Sequence, residues 1–510
     1  MALAKSLTIS LFGLSGTPIL VEADISATLP NFVLVGLPDA SLSEATARVK
    51  AACANSGLAL PARKITVNLS PASVPKQGSG FDLAIAVTVL AAASVLSAES
   101  VAGYSHFGEL GLDGSVRPIR GILPMLLSAK RAGLLKVVVP LANEQEARLI
   151  EGIEVVAVDH LTQVARLHGA SVEEIEAEQR QAVFASPSLQ PLCMSEVHGQ
   201  DEAIRATVVA AAGRHHLLMV GPPGAGKTML AERLPTILPE LSFDEAIESA
   251  AVASLASLHP IQELSRRPPF EAPHHSSTLV SLIGGGSGVP RPGLVSHAHN
   301  GVLFLDEAPE FSAHTLDALR QPLESGQVVI NRSAGNALFP ARFQLVMAAN
   351  PCPCGNFSFS GKNCVCASAA RIRYLGKLSG PLLDRVDLRL NMTPASAAAL
   401  SVGRVSPGAT SEQLRARVVN ARDRTRFRLR DTPWRANAEV SGAYLRKHLR
   451  PASQHTHMLD VALSRGLISM RGYDRCIRVA WTIADLAGHD QVQAEDVLEA
   501  VALRAEMQTK

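Results

Sequence analysis

Three short stretches carry residue types that suit phosphate chemistry. Gly221-Pro222-Pro223-Gly224-Ala225-Gly226-Lys227-Thr228 follows the apolar run Leu217–Val220 and precedes a helix-forming stretch. In a strand–loop–helix setting, glycines so spaced let backbone N–H groups turn inward around phosphate oxygens. Lys227 then adds a point charge at the β- and γ-phosphates, and Thr228 offers a hydroxyl to Mg2+. The apolar run Val302–Leu305 ends in Asp306-Glu307, where one carboxylate can hold Mg2+ through water and the next can polarise an attacking water. An acidic pair is weak evidence alone, but about 80 residues after a phosphate loop in an α/β pattern it is specific. A third run, Gln344–Ala349, ends in Asn350. An amide there could orient the same water; without the other two elements it would read as a turn residue.

The elements that must position these groups follow from patterning. With 510 residues the chain exceeds one core, so three or four units are expected. Residues 1–165 alternate strand-like segments (Thr8–Leu11, Ile19–Ile25, Phe32–Gly36, Ile65–Leu69, Lys136–Val139) with helical ones such as Ser41–Asn55 and Asp82–Ala93, which predicts a mixed α/β domain. Residues 166–192 read as a linker, polar and ending in prolines. Residues 193–395 have the βα pattern of a nucleotide fold. Residues 396–510 read as a helical lid, with amphipathic stretches at His455–Gly466 and Arg471–Ala487.

Composition excludes several classes. Hydrophobic residues make up 47% and charged ones 18%, which is globular rather than disordered. Net charge is +2, so a nucleic-acid surface must be local. Leu83–Leu96, the longest apolar run, falls short of the ~20 residues a membrane span needs. Leu7–Leu14 lacks a clean cleavage site and reads as a strand. Seven cysteines in such a chain suit a reduced, cytoplasmic protein.

Taken together, these motifs resemble the AAA+ superfamily, its magnesium-chelatase-like branch, and within that the YifB/ComM family, over nearly the whole chain. Gly221–Thr228 resembles its Walker A motif, Val302–Glu307 its Walker B motif and Asn350 its sensor 1. The segment from Pro273-His274-His275 through Gly284-Gly285-Gly286 to Pro292-Gly293 is similar to a family signature. The resemblance implies that Arg385, in Leu382-Leu383-Asp384-Arg385-Val386-Asp387, reaches a neighbouring subunit's γ-phosphate. It implies that Arg471, with Arg475 as the fallback, contacts the same nucleotide from the lid. An arginine supplied in trans implies a ring, and the family implies a homo-hexamer. Residues 1–165 look like the Lon-protease-type domain at the front of this family. Lys136 falls at the place of the dyad lysine, but Gly80 occupies that of the nucleophile and Ser79 lies one residue early. A dyad needs its base within hydrogen-bond reach, so a non-proteolytic module is expected.

Two further clusters stand apart. Cys352-Pro353-Cys354 and Cys364-Val365-Cys366, nine residues apart, suit a structural, tetrahedral Zn2+, although C-x-C is tighter than the usual spacing. Cys53, Cys193 and Cys476 read as packing residues. From Arg415 to Arg435, eight arginines face two aspartates, interleaved with Phe427 and Trp434. That run is either a solvated helix face or a phosphate contact. Gln327–Phe343 reads as a hairpin which, by resemblance, projects into a ring pore, with Arg332 tracking a backbone. The expected function is an ATP- and Mg2+-dependent DNA motor acting on branched recombination intermediates, sequence-independently. By resemblance it serves natural transformation alongside recombination proteins. A chelatase-type remodelling subunit, an ATP-dependent protease and a regulatory ATPase remain alternatives.

Overall fold

The computed structural model describes residues 3–36, 44–76, 78–175, 192–257, 260–286, 290–332, 335–357, 364–395 and 408–504. Most of the expected linker, the first residues after the expected boundary at 395, the hairpin turn at Ser333-Ala334 and part of the cysteine loop lie outside the described residues.

Strand-period alternation builds the front of the chain. In Ser15–Ser26 the side chains of Ile19, Val21 and Ala23 are buried while their neighbours are not. This strand pairs antiparallel with Ala4–Phe12, setting Lys5 opposite Glu22 in an ion pair of 3.2 Å. A seven-stranded mixed sheet results, in the order Asn31–Val35, Lys64–Ser70, Ser15–Ser26, Ala4–Phe12, Ser105–His106, Lys136–Pro140, Glu154–Val158. The predicted strands are all present, each extended by one or a few residues except Asn31–Val35, which is shifted by one. Ser105–His106 and Glu154–Val158 were not expected; the first is too short to show alternation.

The apolar run at 83–96 forms the helix Asp82–Ala92, buried on every side. Its first residue, Asp82, is held by Arg48 through bonds of 2.6 and 3.0 Å and by the Leu110 N–H at 3.3 Å. Burial raises the Asp82 carboxyl, against the pull of Arg48. Among the described residues no helix is long and apolar enough to cross a membrane.

A second sheet is wholly parallel, in the order Phe270–Glu271, Val302–Leu305, Gln344–Ala349, Leu217–Val220, Leu388–Asn391. Its central strands are buried throughout, both faces being covered, and their one polar side chain, Gln344, donates to His215 O at 2.8 Å. One face packs against the helices Asp201–Gly213, Ser411–Arg428 and Met470–Ala487. The other carries the hairpin Gln327–Arg332/Gly335–Pro340. The chain passes from one side of the first strand to the other after its fourth, which leaves a crevice at the carboxyl ends where ligands bind in such sheets.

The two sheets are joined by packing. Gly121 N–H donates to Ser254 O at 3.0 Å, and Ala250 and Ala251 enter the core formed by Ile9, Phe107 and Leu126. The turn after Ala4–Phe12 rests on the hairpin. Gly13, at φ 65°, has room for no side chain beside Leu338, whose carbonyl a Cβ would meet at 3.0 Å.

Candidate nucleotide site and its neighbours

Leu217–Val220, Val302–Leu305 and Gln344–Ala349 end side by side, so Gly221, Asp306 and Asn350 emerge on one edge of the sheet. Gly224 and Gly226 take φ 77° and 87°, the left-handed region that turns the loop before the helix Lys227–Ile237. Lys227 Nζ donates to Gly221 O at 2.6 Å, Pro222 O at 3.0 Å and Asn350 Oδ1 at 3.2 Å. Burial pushes this ammonium below its ordinary pKa, resisted by the charges of Asp306 and Glu307. Thr228 Oγ1 donates to Asp306 Oδ2 at 2.8 Å. Asp306 Oδ1 in turn accepts the N–H of Glu307, a residue held at φ 49°. A non-glycine residue in that region stores strain of a kind concentrated at functional sites. The structure therefore brings Lys227, Thr228, Asp306, Glu307 and Asn350 together.

Sequence reasoning missed three supports of this group. His275 Nδ1 lies 3.8 Å from Glu307 Oε2, in a segment to which the sequence alone assigns no role. Gln200 Nε2 donates to Ala225 O at 3.1 Å and Thr393 O at 2.7 Å, tying the loop to the end of the last strand. Burial raises the pKa of the Tyr374 hydroxyl to about 12, and the nearby Asn350 backbone pulls the other way. None of the three has a local signal; each depends on long-range packing.

Arg385 and Arg471 lie elsewhere. Among the described residues neither bonds to Lys227, Asp306, Glu307 or Asn350 of the same chain. Arg471 Nη1 is 3.2 Å from Asp384 Oδ2. Arg385 pairs with Glu324 and donates to Pro381 O at 2.5 Å. Both line a cavity of about 320 Å3 with Arg475 and Arg478. Burial lowers the Arg385 pKa first, then the charges of Arg320, Arg475 and Arg471. The buried Nε atoms of Arg385 and Arg475 have no hydrogen-bond partner among the described residues. Arg475 is anchored at 2.7 Å on Asp387, which also accepts from His215.

Half of the arginine run at 415–435 is spent inside the fold rather than on a solvated face. Arg415 donates to Thr236 O, Arg422 to Ala211 O, and Arg424 to Gly488 O, His489 O and Asp490. Arg428 forks onto Asp485 and lies over the Trp481 ring. Arg417, Arg426, Arg430 and Arg435 stay exposed, Arg430 lying over Phe427. Trp434 packs edge-on against Tyr444 and is not a free stacking face.

In the front part of the chain, Ser79 bonds Glu109 and Lys136 pairs with Glu154 at 3.5 Å, so the two are not partners. The sulfurs of Cys352, Cys354, Cys364 and Cys366 converge, all within 4.8 Å of one another.

Comparison with known proteins adds identity to this geometry. Residues 193–400 match the family described as magnesium chelatase, subunit ChlI; residues 21–143 match subunit ChlI of Mg-chelatase, and 408–504 its C-terminal part. The chain is 42% identical over 506 residues to the uncharacterized protein YifB of Escherichia coli strain K12, covering 99% of this chain and 97% of that one. It is 38% identical over 507 residues to the competence protein ComM of Haemophilus influenzae, covering 99% and 98%. A 95-residue segment is 32% identical to Lon protease 2 of Bacillus subtilis, 18% of this chain and 17% of that one.

Proposed function

The chain belongs to the YifB/ComM family of magnesium-chelatase-like AAA+ proteins, and on that premise we propose that it is an ATPase that works as a homo-hexameric ring and couples hydrolysis to movement along DNA. The observation that carries the ATPase reading is the convergence of Lys227, Thr228, Asp306, Glu307 and Asn350 at one sheet edge. Backbone N–H groups of Gly221–Thr228 cradle the phosphates, and Lys227 exchanges its carbonyl partners for β- and γ-phosphate oxygens. The residues fit Mg2+, because the Thr228 hydroxyl and the Asp306 carboxylate already meet at 2.8 Å. Mg2+ would neutralise the developing phosphate charge there. Glu307 polarises the attacking water and Asn350 orients it. Zn2+ at the four cysteines is a structural addition to this reading.

The cavity at Arg385 supports a site shared between subunits. Buried guanidinium N–H groups without acceptors, among like charges, suit an incoming phosphate. Arg385 reaches the neighbour's γ-phosphate on this reading, and Arg471 joins it from the lid; Arg475 is bound to Asp387 and serves the fold. The division into 1–165, 193–395 and 396–510 is part of the same proposal, as is a place in the cytoplasm.

DNA as substrate is supported by the printed name of the competence relative, by Arg332 on the hairpin and by the arginines of 417–435 that stay exposed. Branch migration of recombination intermediates during DNA uptake, alongside recombination proteins, is the specific form we infer. Proteolysis is disfavoured because Ser79 and Lys136 are engaged elsewhere. A chelatase-type remodelling subunit is the second reading, favoured by the family description matched at 193–400. The deciding experiment measures ATP turnover with and without DNA, and strand displacement on forked and four-way substrates. Wild type should be stimulated and active, and Lys227→Ala and Glu307→Gln inactive. Turnover indifferent to every DNA tested would remove the motor reading.

A further inference from the structure

The cysteine cluster is built into the nucleotide site rather than beside it. Cys352 follows Asn350 by two residues, and the turn Cys352–Gly355 closes with the Gly355 N–H on Cys352 O at 2.9 Å. Gly355, at φ 76°, lies directly against the phosphate loop, where a Cβ would stand 2.7 Å from Pro223 Cδ. On the other flank, Cys366 leads into the helix Ser368–Leu375, whose Tyr374 hydroxyl lies near the Asn350 backbone. Both arms of the cluster therefore return to Asn350, the residue that receives Lys227.

The sulfurs have the spacing of a metal shell. Cys352 and Cys354 are 3.4 Å apart, Cys352 and Cys364 3.7 Å, and Cys354 and Cys364 3.8 Å. Zn–S bonds of about 2.3 Å in a tetrahedron give edges of about 3.8 Å. A disulfide would need about 2.05 Å. Four soft ligands without an open position suit Zn2+ in a structural role.

We propose that Cys352, Cys354, Cys364 and Cys366 bind one Zn2+, and that this centre braces Pro223 and Asn350 so that the phosphate loop holds nucleotide only while the metal is in place. The physical reason is chain closure. The metal would tie the segment after Asn350 to the start of the Ser368–Leu375 helix. With the metal gone, Gly355 loses its seat on Pro223, and the segment after Asn350 loses its closure. The coupling rests on the ATPase reading for its consequence but not for its geometry.

The test uses the full chain. Zinc is counted by plasma mass spectrometry, nucleotide binding is followed with a fluorescent ATP analogue, and amide exchange is read at 221–228 and 350–357 without nucleotide. Wild type should carry about one Zn2+ per chain, as a site of four cysteine ligands requires. Stripping it with a chelator should raise exchange in both segments and weaken ATP binding about tenfold, an ordinary size for coupled sites. Zinc added back should restore both. Cys364→Ser with Cys366→Ser should behave as the stripped chain. If that variant fails to fold, Gly355→Ala keeps all four sulfurs; it should retain zinc yet bind ATP more weakly. Isolation without zinc, or with iron, would overturn the proposal. So would a stripped chain with unchanged exchange at 221–228. A zinc-loaded wild type that binds no ATP would instead remove the ATPase reading, while the exchange measurement still judges the brace.

Discussion

The hydroxyl of Thr228 donates to Asp306 Oδ2 at 2.8 Å, linking the phosphate loop to the tip of the Val302–Leu305 strand. On the proposed ATPase reading this pair would set the place of Mg2+. Thr228→Ala and Asp306→Asn should each weaken Mg2+-dependent ATP binding while leaving binding of metal-free nucleotide less affected. Equilibrium titrations with and without Mg2+ read the difference.

Glu307 should separate binding from chemistry. Glu307→Gln should keep ATP affinity near wild type and lose turnover by about 100-fold or more, the usual loss when a general base is removed. Lys227→Ala should lose both. Filter binding and phosphate release distinguish the two variants, and a Glu307→Gln chain that still turns over would displace Glu307 from this role.

Arg385 should act on a neighbour. Arg385→Ala should hydrolyse poorly, as should Lys227→Ala, yet mixing them should recover activity. Interfaces that join the intact phosphate loop of one to the intact arginine of the other become complete. No recovery across mixing ratios would place Arg385 outside a shared site.

Arg471 and Arg475 should differ in kind. Arg471 is exposed and pairs with Asp384 at the surface, so Arg471→Ala should lower turnover without lowering the unfolding temperature. Burial alone would raise the Asp387 carboxyl, but the His215 bond and the charge of Arg475 hold it well below the ordinary range. Arg475→Ala leaves that buried carboxylate half-paired and should destabilise the fold by about 3–5 kcal/mol. Thermal and urea unfolding of the two variants makes the comparison.

Acid should loosen the front sheet. Ser6, His106, His168 and Ser100 form a chain of hydrogen bonds of 2.8–2.9 Å, the two imidazoles joined through Nε2. Burial lowers His168 to about 4, and burial with the charge of His168 lowers His106 well below its ordinary value. Unfolded imidazoles titrate near 6.5, so below that pH the unfolded chain takes up protons the folded one refuses. Stability is complete above about 6.5 and falls as pH drops towards about 4. His216, lowered to about 4 by burial, adds the same sign in the parallel sheet. Amide protection over 4–12, taken relative to the intrinsic exchange rate at each pH, should fall between pH 7.5 and 5. His106→Gln with His168→Gln should flatten that dependence.

What was legible in the sequence was what is local. Gly221–Thr228, Asp306-Glu307 and Asn350 each sit at the end of an apolar run, and the structure sets those ends side by side. The arginine run left two readings open because charge density says nothing of direction. Arg415 and Arg422 are seven residues apart, so they share a helix face with buried Val418 and reach backbone carbonyls. Gly355 against Pro223, and Phe12 beside the hairpin at Gly335, join segments far apart in the chain and leave no periodic trace. The histidine chain was missed because isolated polar residues in apolar strands do not announce their partners.

The strand Leu217–Val220 lies between Gln344–Ala349 and Leu388–Asn391, both made later. On the ribosome the phosphate loop therefore emerges long before the second wall of its crevice. The front sheet, by contrast, has its last strand once Val158 is out. On the proposed reading nucleotide capture waits for Leu388–Asn391, and Arg385 precedes that strand. Every newly made chain that can hold ATP thus already carries the arginine it would lend a neighbour. A chain stopped before Leu388 should retain no nucleotide, however well its front half has folded.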